Sequence, residues 1–251
     1  MFFQKEGKGI WEAYPKTFGI HLISVIRADK VLILAPHPDD DVIGAGGLIN
    51  YLAGEGSEIK IVYFTDGSRS NRGANFSEAL IEKREREARK AGKILGIGEQ
   101  KFLRLPHNAM KSSFELSALI RREIEFDKPD LLLSPSIEEP HPDHLAVAQA
   151  LALALRNYDQ SLNIWLYEAF GTGRLNRLFE INEQMEAKKE ALGAHKSQLA
   201  VRKYEEAIIS LNRFRALSAG LSGHAEAFYA VGPRNYVKLF EFYHRHHESQ
   251  I

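Results

Sequence analysis

The sequence VLILAPHPDDDVIGAGG, residues 31–47, contains the strongest structural signal in this chain. Its four apolar residues at positions 31–34 predict a strand that is buried on both faces. The chain then turns at Pro36 and Pro38 and presents His37, followed by three consecutive aspartates at 39–41. Ligands of open α/β sheets bind at the carboxyl ends of the strands, so this spacing indicates a functional site.

The spacing of His37 and Asp40 lets an imidazole and a carboxylate converge on one ion, and Asp39 lies between them. Zinc accepts such ligands, and a catalytic zinc site has three protein ligands and one open position. Alternatively, the aspartates only cap the next helix, a contribution of about 0.3–1 kcal/mol each. Capping does not account for His37, so we favour metal binding with one ligand still to be found.

Composition excludes several classes of protein. The 251 residues, 44% of them hydrophobic, are enough for one large α/β domain. Basic and acidic residues number 33 each, so the net charge is zero and we expect neither nucleic acid nor an anionic membrane as a partner. Without cysteine, any metal must be held by His, Asp or Glu. We find no signal peptide and no membrane span, and expect a cytoplasmic protein.

The glycines at 44, 46 and 47 follow the first strand, where a dinucleotide-binding turn would lie. The full G-x-G-x-x-G pattern is absent, and the preceding acids would repel a pyrophosphate. We therefore expect these glycines to allow close contact between a helix and the sheet. The succession of strands and helices after residue 31 predicts a parallel, doubly wound sheet.

A second polar cluster, EEPHPDH at residues 138–144, follows the buried strand predicted near residue 131. Its two histidines stand at the same topological place as the first cluster. If the two strands are neighbours, either His141 or His144 could complete a His/Asp/His site with His37 and Asp40.

Four motifs together resemble the PIG-L, or LmbE-like, family of zinc-dependent N-acetylglucosaminyl deacetylases. They are PHPDD at 36–40, TDG at 65–67, Arg84 with Glu87, and HPDH at 141–144. Weaker matches at 165–168, 194–198 and 225–228 extend the resemblance over residues 31–228. It implies a Rossmann-like, three-layer α/β/α fold with a mostly parallel sheet.

The resemblance also implies roles for individual residues. His37, Asp40 and His144 would bind Zn²⁺, or another divalent metal such as Fe²⁺. Asp39 would be the general base, and His141, oriented by Asp143 and kept charged by it, would be the electrophile or general acid. Substrate-binding residues would be Arg84, Asp66 and Arg72.

The implied activity is removal of the N-acetyl group from a small molecule or glycoconjugate that contains N-acetylglucosamine. Two alternatives stay open: a non-catalytic, metal-dependent sugar-binding module, and a hydrolase of a different amide. Phosphoester hydrolysis is disfavoured because it usually requires two metals and more carboxylate ligands. The resemblance leaves a homo-oligomer, a trimer or a hexamer, open.

We expect a single deacetylase domain in three parts. Residues 1–29 would form an N-terminal helical extension, 30–155 the Rossmann-like core, and 156–251 a C-terminal part that completes the substrate cleft. The helix is predicted from helical spacing of Trp11, Tyr14, Phe18 and Ile23. We interpret His107 as an exposed or substrate-side loop residue, and the histidines near residue 246 as a surface tail.

Overall fold

The computed structural model describes residues 19–67, 78–105 and 114–247. Across these ranges the strands form one eight-stranded sheet in the order β1-β7-β8-β6-β5-β2-β3-β4. The strands are β1 His21–Ile23, β2 Lys30–Ala35, β3 Glu58–Thr65, β4 Glu99–Leu105, β5 Leu131–Pro135, β6 Asn163–Tyr167, β7 Arg177–Glu180 and β8 Ala225–Val231.

All pairs in the sheet are parallel except those that β8 makes with β6 and β7. The strand predicted from the apolar run, β2, lies between β3 and β5, and Val31 pairs with both Ile59 and Leu131. The two strands that precede the polar clusters are therefore neighbours in the sheet, as the predicted site requires.

Helices cover both faces of the sheet. They are α1 Asp40–Gly54, α2 Glu78–Leu95, α3 Phe114–Asp127, α4 Pro142–Ala154, α5 Met185–Ala194, α6 Lys196–Leu199, α7 Glu205–Ser218 and α8 Pro233–His247. Successive side chains of a strand point to opposite faces. Accordingly, Val31 and Ile33 pack in the core with α1, α2 and α5, whereas Leu32 and Leu34 pack with α3, α4 and α8. This is the expected three-layer α/β/α fold with a mostly parallel sheet.

Helix α1 lies unusually close to the elements around it. A Cβ added to Gly44 would lie 2.2 Å from Cδ2 of Tyr167 in β6, and one added to Gly47 would lie 2.5 Å from Cγ2 of Ile181. The predicted role of the glycines, close contact between helix and sheet, is confirmed.

A buried ion pair fills an irregularity in the same helix. Ala45 departs from helical geometry, with φ −142° and ψ 15°. Close to it, the carboxylate of Glu226 in β8 accepts hydrogen bonds from the backbone N–H groups of Gly47 and Leu48, at 2.8 and 2.9 Å. Lys188 in α5 donates to Glu226 at 2.7 Å and to the carbonyl of Ile43 at 2.9 Å. The backbone groups near the irregularity thus gain side-chain partners within the core.

Two expectations about the chain ends differ from the structure. Ile23 was expected in an N-terminal helix, but it lies in β1, which pairs in parallel with β7. Its apolar side chain serves the sheet, and residues 1–18 lie outside the described ranges. The backbone at 244–247 was expected to be a tail, but it continues α8 to His247.

Nowhere in the described chain is a helix long and apolar enough to cross a membrane.

Candidate active site

The two polar clusters meet at the carboxyl ends of β2 and β5. His37 and Asp39 occupy the turn between β2 and α1, and Asp40 is the first residue of α1. His141, in extended conformation, precedes α4, and His144 lies in the first turn of that helix. Because β2 and β5 are adjacent and parallel, residues more than a hundred positions apart in sequence lie side by side.

Three potential ligand atoms form a tight triangle. Oδ2 of Asp40 lies 3.0 Å from Nδ1 of His37 and 3.1 Å from Nε2 of His144, and the two nitrogens are 3.3 Å apart. Tetrahedral zinc with bonds of about 2.0–2.1 Å separates its ligand atoms by about 3.3 Å. The donor set and its spacing therefore fit a metal ion such as zinc.

Carboxylates lie near the outer nitrogens of both histidines. Oδ2 of Asp143 lies 3.1 Å from Nε2 of His37. Oε2 of Glu139 lies 3.6 Å from Nδ1 of His144, which is within ion-pair range although too far for a hydrogen bond. Metal-binding histidines usually donate their second ring N–H to such a carboxylate, which fixes the tautomer and leaves the other nitrogen for the ion.

His141 offers an alternative ligand. His37, His141 and His144 each have one nitrogen within 4.8 Å of the others, so this group could also hold a metal ion. However, Nδ1 of His141 accepts a hydrogen bond from the backbone N–H of Asp143 at 3.2 Å. We favour Asp40 as the third ligand because its Oδ2 lies only 3.0 Å from Nδ1 of His37 and 3.1 Å from Nε2 of His144.

The ionisation of His37 and Asp40 suits an attraction between them. Burial alone would raise the pKa of Asp40, but the neighbouring imidazoles of His144 and His37 hold it well below its usual value. Burial would lower the pKa of His37, but attraction to Asp40 and the hydrogen bond that the His37 ring donates to Asp143 raise it to about 10. In the metal-free protein at neutral pH, an anionic Asp40 therefore faces a cationic His37.

Asp39 lies next to the triangle, and the residue is 4% exposed. Burial, followed by repulsion from Asp40, raises the pKa of Asp39 to about 8. The hydroxyl of Tyr204, just before α7, donates a hydrogen bond to Oδ2 of Asp39 at 2.8 Å. A carboxylate whose pKa lies near neutral pH is suited to accept and release a proton during catalysis. No sequence pattern around Tyr204 indicated this contact.

The surroundings of His141 differ from those expected. The carboxylate of Asp143 was expected to orient His141 and keep it charged; its Oδ2 lies 3.1 Å from Nε2 of His37, and its negative charge acts to raise the pKa of His141. Burial, followed by repulsion from His37 and His144, lowers the pKa of His141 to about 4. Because Nδ1 accepts from the backbone of Asp143, the ring proton of the neutral imidazole is on Nε2. The physical reason is that three imidazoles share one buried space.

The residues expected to bind substrate have different outcomes. Arg84 is 1% exposed and lies within the charge network of Asp39, Asp66 and Glu87. A Cβ added to Gly67 would lie 2.8 Å from Nη1 of Arg84. Arg84 is thus buried within reach of both Asp39 and Asp66, whereas Arg72 and His107 lie outside the described residues.

The C-terminal part of the chain supports the turn that carries His37. The carboxylate of Glu87 in α2 accepts hydrogen bonds from the backbone N–H and hydroxyl of Ser197, at 3.0 and 2.6 Å. One residue later, Gln198 donates to the carbonyl of Pro38 at 2.8 Å. Glu87, a residue of the sequence motif, therefore anchors the segment 197–198, which contacts the turn that carries His37.

Comparison with known proteins agrees with this site. The PIG-L family, GlcNAc-PI de-N-acetylase, matches residues 32–155, which include both polar clusters. The diacetylchitobiose deacetylase of Thermococcus kodakarensis is 29% identical over 228 residues, covering 84% of each chain. YaiS of Escherichia coli, an uncharacterized deacetylase, is 31% identical over 188 residues, covering 70% of this chain and 95% of that protein.

A solved structure shows the same arrangement of elements. The N,N'-diacetylchitobiose deacetylase of Pyrococcus horikoshii superimposes with a TM-score of 0.73 at 27% identity, covering 83% of this chain and 86% of that one. The motifs, the identity to YaiS over most of its length and the shared fold agree with one another. The chain therefore belongs to the PIG-L family of de-N-acetylases.

Proposed function

We propose that this protein is a zinc-dependent hydrolase that removes the N-acetyl group from a small molecule or glycoconjugate containing N-acetylglucosamine. The observation that carries the proposal is the pairing of two adjacent aspartates in different roles. Asp40 faces His37 and His144, whereas Asp39 is buried beside them with a pKa raised to about 8. A ligand set with a separate base close to it is the arrangement that metal-assisted hydrolysis requires.

His37, Asp40 and His144 would hold the ion. Zinc bound there would lower the pKa of a water molecule to about 7 and polarise the amide carbonyl. Asp143 contributes by its contact with Nε2 of His37, which leaves Nδ1 of that ring for the ion.

Asp39 would take the proton from the attacking water on its carboxylate. Tyr204 holds that carboxylate in place through the hydrogen bond to Oδ2. His141, with its proton on Nε2, would donate a hydrogen bond to the oxyanion, and the proton that Asp39 takes from the water would pass to the departing amine. The first polar cluster would thus supply the proton carrier, Asp39, and the second the hydrogen-bond donor for the oxyanion, His141.

Arg84, Asp66 and Arg72 remain our proposed substrate-binding residues. Arg84 interacts electrostatically with both Asp39 and Asp66, which supports a role for these residues near the reacting amide. A homo-oligomer, trimer or hexamer, is carried over from the family resemblance, and light scattering of the purified protein measures it.

The first prediction separates the base from the ligands. We expect Asp39→Asn to retain zinc and to lose about 10²–10⁴-fold in kcat, because only the proton acceptor is removed. Asp40→Asn is the matched control at the next position, and it should lose metal as well as activity. Metal content is measured by elemental analysis and turnover by acetate release. A metal-free Asp39→Asn protein would show that base and ligand are assigned in reverse.

The substrate is tested with a panel of N-acetylglucosamine compounds: the free sugar, N,N'-diacetylchitobiose, an inositol conjugate and a malate conjugate. We expect acetate and a primary amine in equal amounts from at least one of them. Binding without acetate release would indicate a sugar-binding module. If the zinc-loaded protein neither binds nor hydrolyses any of the panel, the substrate is a different amide.

A further inference from the structure

Phe170 is a large apolar side chain beside the candidate active site that the mechanism above does not use. It lies in the segment between β6 and β7 and is 39% exposed. Its ring centroid is 5.9 Å from that of His144 and 6.4 Å from that of Tyr204, the latter at an interplanar angle of 89°. It thus neighbours both a proposed metal ligand and the tyrosine that holds the base.

The backbone that carries Phe170 is tied to the site by one buried carboxylate. Glu139 accepts hydrogen bonds from three successive N–H groups, those of Ala169 at 2.7 Å, Phe170 at 3.2 Å and Gly171 at 3.1 Å. The same carboxylate faces His144 at 3.6 Å. Hydrogen bonds to a charged group are among the stronger ones in proteins, so Glu139 fixes the backbone that carries the aromatic ring relative to the proposed metal ligand.

The ring also has a cationic neighbour. The guanidinium group of Arg202, four residues after Gln198, lies 6.0 Å from the ring centroid of Phe170. Tyr204, by contrast, is buried, with its hydroxyl committed to Asp39. Among these neighbours, Phe170 is the aromatic residue that has an accessible surface for a bound molecule.

We propose that Phe170 is a specificity-determining residue, on which the C–H face of the amino-sugar ring stacks while its N-acetyl group lies at the metal site. The proposal rests on the proposed function, because it assumes a sugar substrate at this site. Binding sites combine apolar and aromatic walls with a few polar groups that fix orientation. Here the polar groups are those of the two clusters, and the apolar wall is Phe170, whose backbone is held by Glu139.

The test measures binding separately from turnover. The probe is N,N'-diacetylchitobiose, titrated by calorimetry into the zinc-loaded Asp39→Asn protein, in which hydrolysis is suppressed. Adding Phe170→Ala should weaken binding about tenfold, the loss expected for one aromatic contact. Phe170→Leu, which keeps an apolar side chain without a ring, should also weaken it, whereas Phe170→Tyr should retain it. Zinc content and melting temperature should stay at the parent values.

The matched control is Phe126→Ala. Phe126 is 81% exposed and lies near the end of α3, shortly before β5 begins. It is therefore near the amino-terminal ends of the strands, opposite to the carboxyl ends that carry the site. This variant should bind the disaccharide as the parent does. In the active background, Phe170→Ala should raise KM for the disaccharide about tenfold and change kcat little, because the stacking is the same before and during the reaction.

The outcomes separate this inference from the proposed function. Unchanged binding and KM in Phe170→Ala would overturn the role of Phe170 and leave the deacetylase proposal standing. A parent protein that binds the disaccharide in a Phe170-dependent manner but releases no acetate would support the inference and contradict the deacetylase proposal. A parent that binds none of the sugar panel would overturn the inference.

Discussion

Adjacent aspartates at the site have pKa values displaced in opposite directions, and the cause is local. Asp40 contacts His37 and His144, and its interactions with these imidazoles lower its pKa despite complete burial. Asp39 has a tyrosine hydroxyl as its hydrogen-bond partner, and burial raises its pKa to about 8. Two residues adjacent in sequence thus have different functions: Asp40 is suited to bind a cation, and Asp39 is suited to exchange protons.

At this scale we predict a shift in the pH dependence of Tyr204→Phe. The hydroxyl of Tyr204 stabilises the ionised form of Asp39 and so lowers its pKa. Without it the pKa should rise, and since the base acts when deprotonated, the acidic limb of kcat/KM against pH should move upward by about one unit.

The control for this shift is Tyr158→Phe. Tyr158 lies after α4 and contacts Arg121, so its profile should coincide with that of the wild type. An acidic limb that stays in place, or moves to lower pH, in Tyr204→Phe would remove Asp39 as the titrating base.

At the level of secondary structure, helix α1 requires glycine at two positions for a steric reason. The helix carries Asp40 at its first position, so its distance from the sheet sets where the carboxylate lies. Gly44 and Gly47 leave no space for a Cβ against Tyr167 and Ile181. The break at Ala45 is sustained by Glu226 and its partner Lys188, which bind the nearby backbone groups.

We predict that Gly47→Ala lowers the free energy of unfolding by about 1–3 kcal/mol, because the methyl group would overpack against Ile181. In an open helix the same change is stabilising by about 0.5–1 kcal/mol. Gly54→Ala, in the last position of α1 with no heavy atom within 4 Å of the added Cβ, is the control and should be neutral or stabilising. Urea unfolding measures both. Equal effects of the two substitutions would contradict the close approach of α1.

At the scale of the whole molecule, the metal-free protein carries a protonated His37 where the metal ion would bind. His37 has a pKa of about 10 against an ordinary value of 6.5, so its contribution to stability is complete below about pH 6.5 and is lost as pH rises through about 10. A metal ion binds the neutral imidazole, so it must displace this proton.

We therefore predict that zinc binding releases about one proton at pH 7.5 and that the affinity rises with pH. Calorimetric titration in buffers of different ionisation enthalpy measures the number of protons. Asp143→Asn removes a contact that raises the pKa of His37, so it should release fewer protons at the same pH. Zinc binding without net proton release would contradict a cationic His37 in the metal-free protein.

Much of this architecture was predictable because its signals are local. The apolar run at 31–34 indicated a central strand, and the two polar clusters indicated ligands at its end. The spacing of His37 and Asp40 is short enough that one turn fixes their relation. Ile23 was assigned incorrectly because a short apolar segment carries no reliable period, and its strand exists only through pairing with β7.

The sequence by itself determined the fold class and the chemical types available at the site, since both follow from residue identity and spacing along the chain. Only the tertiary structure decided which groups meet: Asp143 contacts His37, Tyr204 contacts Asp39, and Glu139 ties Phe170 to the site. These partners lie between 31 and 165 positions apart, a separation at which periodicity carries no information. Strand order and the connections between elements set their distances, and those are properties of the packed molecule.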